Sequence, residues 1–154
     1  MFDPALDMSL RTALSPGALW IAVTDPSHVS RWWPEATIDA RKGGRIEVEE
    51  LPFKKKKTRH ASGRIEQMEH GEYLRFAWRT KGRDATTTVE VHVSQSKSKS
   101  KIRVVESGFR RHDYCGIEVE RMRDFWRERL VELKSYAEAP KHAAALEEAA
   151  KRAA

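Results

Sequence analysis

At 154 residues the chain suits one domain that buries about two thirds of its unfolded surface, so its core needs no covalent staples. Cys115 is the only cysteine, which excludes an intramolecular disulfide and a thiol-rich metal motif; with no signal peptide and no apolar run of membrane length, the expectation is a soluble, cytoplasmic protein without a membrane span. The formal charge of +6 arises from 29 bases interleaved with 23 acids, the make-up of a solvated surface rather than of a nucleic-acid-binding stripe.

After a frayed start at residues 1–5, Leu6, Met8 and Leu10 alternate with polar neighbours and predict a strand with one buried face. Ser15 can cap a helix that opens on Pro16 and runs to about Val23, with Leu19, Trp20 and Val23 at helical spacing. Thr24 or Asp25 can cap a second helix from Pro26, which sets Val29, Trp32 and Trp33 at i, i+3 and i+4 before Pro34 turns Trp33 out of the helical region. Three of the five tryptophans therefore fall within fourteen residues. A short strand at Ala36–Ala40, a turn at Arg41–Gly44 whose paired glycines supply positive φ, and a strand carrying Ile46 and Val48 follow. The segment Leu51–His60, with Pro52 and the run Lys54–Lys57, reads as an exposed hairpin connection.

From Ala61 the strands come quickly. Gly63, Ile65 and Met68 mark one, Glu69–Gly71 a turn, and Leu74, Phe76 and Trp78 the inner face of the next. A turn at Lys81–Asp84 leads to a β-branched strand with Val89, Val91 and Val93 on one face, and Ser94–Lys101, alternating Ser and Lys, reads as a mobile hairpin loop. The next strand, to Ser107, places Ile102, Val104 and Glu106 on one face, and Gly108 and Phe109 end it. A long helix beginning between Tyr114 and Glu118 and stopping before Pro140 carries Met122, Phe125, Trp126, Leu130, Leu133 and Tyr136 as an apolar stripe. The sequence thus divides into a domain at residues 1–139 and an alanine-rich tail at 140–154, where only Leu146 offers apolar area and a frayed or loosely docked helix is expected.

Strand, two short helices, about six or seven antiparallel strands and a long final helix make an α+β helix-grip arrangement, a curved sheet around the last helix. Leu19-Trp20, Thr24-Asp25-Pro26, Trp32-Trp33-Pro34, Gly43-Gly44, Gly63, Leu74-Arg75-Phe76-Ala77-Trp78, Ser107-Gly108-Phe109 and the helix residues Trp126, Leu130, Leu133-Lys134 and Tyr136 resemble, in order and spacing, the activator of heat-shock protein 90 ATPase homologue family of the START-like, or Bet v-like, superfamily. The resemblance spans about Leu6 to Glu138. It implies a ligand cavity between sheet and final helix, and it brings two alternatives: a co-chaperone-like or stress-response module that meets an acidic protein partner such as a chaperone, and an enzyme resembling polyketide cyclases. The chain departs from the family's pattern at Lys54–Lys57, at Phe125, where a glycine commonly stands, and after Pro140.

Signatures of conventional catalysis are missing: no glycine-rich phosphate loop, Gly-x-Ser-x-Gly elbow or His-Glu-x-x-His pair occurs, and the six histidines are scattered. No catalytic residue, metal site or cofactor is expected. Cys115 beside His112 and Asp113 reads as a packing residue at a helix start. The basic stretches Lys54–Arg59 and Lys97–Lys101 lack interleaved aromatics for base stacking, so nucleic-acid binding is not expected. Glu106 is the one carboxylate that alternation turns inward; it either reaches the sheet rim and an arginine, or anchors a pocket with a raised pKa. The expected function is binding of a small hydrophobic or amphipathic molecule in a cavity bordered by Trp32, Trp33, Phe76, Trp78, Val91, Val104, Glu106, Phe109, Phe125 and Trp126, with Trp20 in the core and Trp32 and Trp33 at the mouth.

Overall fold

The computed structural model describes residues 5–50, 59–80, 86–97, 99–109 and 116–153, of which 50, 59–60 and 116–118 are described by backbone alone. Seven antiparallel strands form one curled sheet in the order β1-β7-β6-β5-β4-β3-β2. They are β1 (Leu6–Thr12), β2 (Ala36–Ile38), β3 (Arg45–Glu50), β4 (Arg59–Glu69), β5 (Tyr73–Thr80), β6 (Thr87–Ser96) and β7 (Lys99–Ser107). Two short helices, α1 (Pro16–Thr24) and α2 (Pro26–Trp32), connect β1 to β2, and α3 (Gly116–Glu138) and α4 (Pro140–Ala153) follow the sheet. The helix-grip expectation describes this arrangement.

Register explains the inner face. Opposite residues in adjacent strands share a face, so the pairings Leu6–Glu106, Glu106–Val89, Val89–Phe76 and Phe76–Ile65 form one row across five strands. A neighbouring row joins Met8, Val104, Val91 and Leu74. The switch of inward residues on β4 from Ile65 to Met68 marks a bulge between Ile65 and Gln67, where an extra residue shifts the alternation by one. Gly63, opposite Trp78, leaves room for close approach: a Cβ there would lie 1.9 Å from the Ala77 carbonyl oxygen.

The helix termini follow the sequence signals. Ser15 accepts from the Ala18 N–H to cap α1, and Asp25 accepts from the Ser27 N–H to cap α2. Trp33 ends α2 at φ −137°, ψ 75°, outside the helical region as Pro34 requires. The 23-residue α3 is about 34 Å long and lays Trp126, Leu130, Leu133 and Ala137 into the core.

Three local expectations are corrected. β2 ends at Ile38, and of the paired glycines only Gly43 takes positive φ (84°), while Gly44 is confined by the Asp39 carbonyl, which a Cβ would meet at 2.0 Å. The hairpin expected at Ser94–Lys101 has a shorter loop than expected, since the strands continue until Ser96 pairs with Lys99. The strand ladder wins there because Ser100 is buried and bonded to Thr12 (2.7 Å). Of the two forms expected for the tail, frayed or loosely docked, the helix α4 takes neither but docks firmly. Leu146 is 0% exposed, and Glu147 accepts from both the Ser15 N–H (2.9 Å) and the Ser15 hydroxyl (2.5 Å), fastening α4 to the cap of α1. The connection expected at Leu51–His60 lies outside the described residues up to Thr58, as do the Lys54–Lys57 run, the Lys81–Asp84 turn and the His112–Cys115 cluster. No helix among the described residues is long and apolar enough to cross a membrane.

Candidate functional site

Sheet, α2 and α3 surround an apolar cavity of about 60 Å³. On one side α2 and its cap contribute Val29, Trp32 and Trp33; the sheet contributes Leu74, Phe76, Val91 and Val104; and α3 contributes Trp126, Arg129 and Leu130. The local reasons are those of the periods: residues two apart on a strand share a face, and residues three or four apart on α3 form one stripe. Among the described wall residues Arg129 is the one charged side chain. Trp32 is half-buried and its indole N–H donates to the Ala22 carbonyl (2.8 Å), which ties α2 to α1.

Of the residues expected to border a cavity, Trp32, Trp33, Phe76, Val91, Val104 and Trp126 are in this wall, whereas Trp78, Glu106, Phe109 and Phe125 are not. Trp78 and Phe109 are buried in the surrounding core, and Phe125 is partly buried against it. Trp33, expected at the mouth with Trp32, is 5% exposed. Its ring meets those of Phe125 (5.8 Å between centroids) and Trp126 (6.1 Å) edge to face, because the turn imposed by Pro34 swings it onto α3. The indole N–H groups of Trp33 and Trp78 are buried with no acceptor among the described residues, a cost of about 1–3 kcal/mol each.

Arg129 was absent from the sequence-based expectation, since arginine on a helix normally marks the solvated side. Its position held the signal: it stands three residues after Trp126 and four before Leu133, inside the apolar stripe.

Glu106 does not reach a rim or an arginine. Its carboxyl is 1% exposed, with the Thr87 hydroxyl donating to Oε2 (2.5 Å) and the Trp126 indole N–H donating to Oε1 (2.8 Å). Burial pushes its pKa up, and these two hydrogen bonds partly oppose the rise. A protonated Glu106 would satisfy the cluster in sequence, with the acid O–H donating to Thr87 Oγ1 and the freed Thr87 hydroxyl turning to the Trp78 carbonyl (3.5 Å). Both oxygens accept a hydrogen bond from the protein's own side chains, and Glu106 is not among the residues that line the cavity. Among the described residues no cluster of His, Cys, Asp or Glu is placed to hold a metal ion.

The family model described as "Activator of Hsp90 ATPase homolog 1-like protein" matches residues 13–138, most of the chain. The chain belongs to this AHSA1-like family. Solved structures share the AHSA1-like fold at low identity. DynU16, a protein of the dynemicin biosynthetic locus, superposes with a TM-score of 0.74 at 19% identity over 90% of this chain and 49% of its own, so this chain spans about half of DynU16. CalU16 from Micromonospora echinospora gives 0.70 at 19% identity, covering 97% of this chain and 84% of CalU16. CV1439 from Chromobacterium violaceum gives 0.70 at 21%, covering 85% and 95%. These likenesses show a shared helix-grip fold. No curated protein matches the AHSA1-like chain in sequence.

Proposed function

We propose that the protein binds a small hydrophobic or amphipathic molecule between the sheet and α3. The observation that carries this reading is the apolar cavity between sheet, α2 and α3. Ordered water needs two to four polar partners, and a wall of Val, Leu, Phe and Trp side chains supplies almost none, so the favoured occupant is apolar. At about 60 Å³ the cavity is well under the roughly 150 Å³ that accommodates benzene. A ligand of useful size must therefore displace part of the wall. Trp32 is the wall residue suited to move, since it sits half-buried on a seven-residue helix and one hydrogen bond to Ala22 holds its indole.

Native mass spectrometry of freshly purified protein, followed by tryptophan-fluorescence titration with 1-decanol and with 2-naphthol, tests the proposal. A co-purifying molecule or saturable quenching supports it; an unmodified mass together with no response to either probe refutes it. A surface role on a heat-shock protein 90 is separated by the same samples, because the cavity reading expects no change in that ATPase when the protein is added.

A further inference from the structure

Three tryptophans among the described residues stand in the cavity wall, and the protein treats their indole N–H groups unequally. Trp32 donates to the Ala22 carbonyl (2.8 Å) and Trp126 to the Glu106 carboxyl (2.8 Å), so both are satisfied within the fold. Trp33 differs: it is 5% exposed, and its N–H is buried with no acceptor among the described residues. Its ring lies edge to face with those of Phe125 and Trp126, and an aromatic face is at most a weak acceptor for an N–H. A buried donor in this state carries the full cost of its lost hydration. Phenylalanine would fill much of the same space without that cost, so the donor is the feature of position 33 that packing alone leaves unexplained. The N–H of Trp78 is likewise orphaned, but Trp78 is not a wall residue.

We infer that the ligand is a ketone or ester whose apolar body lies among Trp32, Phe76, Trp126 and Leu130 and whose carbonyl oxygen accepts a hydrogen bond from Trp33 Nε1. This inference rests on the cavity reading and narrows it to one chemical class. A carbonyl suits the site because it brings acceptor capacity and no donor of its own. A hydroxyl could also accept, but its O–H would then need an acceptor, and a wall of Val, Leu, Phe and Trp side chains offers almost none. A hydrocarbon of the same shape keeps the apolar contacts and leaves the N–H stranded.

Acetophenone, 1-phenylethanol and ethylbenzene share one skeleton and differ only at this group. Each is titrated into the full chain, with calorimetry reading affinity and nitrogen–proton correlation spectra of labelled protein reading the assigned indole protons. The wild type should bind acetophenone about tenfold tighter than ethylbenzene, which corresponds to about 1.4 kcal/mol, with the alcohol between them. The Trp33 indole proton should move further downfield with acetophenone than with ethylbenzene. Trp33→Phe, which keeps an aromatic ring and removes the donor, should bind acetophenone no tighter than ethylbenzene. Circular dichroism and melting temperature establish that the variant folds; if it does not, the affinity ratio and the indole shift of the wild type decide. Equal affinity for ketone and hydrocarbon in the wild type, an unmoved Trp33 signal, or an undiminished preference in Trp33→Phe overturns the carbonyl assignment and leaves the cavity reading standing. If none of the three binds, the assignment falls, and the cavity reading falls with it when 1-decanol and 2-naphthol also fail.

Discussion

Replacing Glu106 by glutamine separates the charge of this buried group from its shape. The amide keeps an oxygen for the Trp126 N–H and presents an NH2 to Thr87, so both 2.5–2.8 Å contacts survive in neutral form. Burial raises the pKa of Glu106 above its ordinary 4.5, so the folded protein holds this proton more tightly than the unfolded chain. Its contribution to stability is therefore full below pH 4.5 and is lost as pH rises through the folded-state value. One proton corresponds to a slope of at most about 1.4 kcal/mol per pH unit. In urea unfolding from pH 4.5 to 8, Glu106→Gln should gain on the wild type with rising pH, along a slope up to that limit. Glu106→Ala, by contrast, strands the Trp126 N–H at about 1–3 kcal/mol and leaves a cavity, for a total loss of about 3–5 kcal/mol. A glutamine-minus-wild-type difference that stays flat across this pH range, or a glutamine variant as unstable as the alanine one, would refute the reasoning.

Further outcomes follow from particular contacts. Trp33→Ala should lower stability by about 3–5 kcal/mol in denaturant melts, because it removes a buried ring from between Phe125 and Trp126; Trp32→Ala should cost less and alter ligand association rates more. Gly63→Ala places a methyl against the Ala77 carbonyl and should cost about 3 kcal/mol or more, read as a fall in the urea midpoint. Lys99, at φ 117°, occupies backbone space suited to glycine, so Lys99→Gly should raise the melting midpoint by the equivalent of about 1 kcal/mol. Ending the chain at Ala139 exposes the pocket of Leu146 and should cost about 3 kcal/mol in the same assay.

The sheet was legible because alternation has only one register that buries Leu74, Phe76 and Trp78 together with Val89 and Val93. Even the β4 bulge left a trace, in the odd spacing from Ile65 to Met68. Glu106 could be placed on the inner face by the same rule, but its partners could not, since Thr87 and Trp126 lie 19 and 20 residues away and meet it only through the closing of sheet on helix. Core and cavity wall were indistinguishable for Trp78, Phe109 and Phe125, because alternation and helical spacing give the side a residue faces and not how deeply its neighbours fill the space beyond. The docked tail was hidden for a different reason. α1 is apolar nearly all round, with Leu19, Trp20 and Ala22 all buried, and such a helix needs cover on every side. Read that way, the alanines of α4 supply the cover: Ala150 comes so close to Gly17 that a Cβ there would sit 3.3 Å away.

The tryptophan rings form a chain: Trp32 to Trp33 at 5.8 Å, Trp33 to Trp126 at 6.1 Å, and Trp126 to Trp78 at 6.1 Å. Indoles this close couple their near-ultraviolet transitions, so the row from Trp78 to the half-buried Trp32 responds as one chromophore. The near-ultraviolet dichroism of the row therefore depends on the tilt of every ring in it. A displacement of Trp32 by an entering molecule would register in the spectrum of the whole row, without a label.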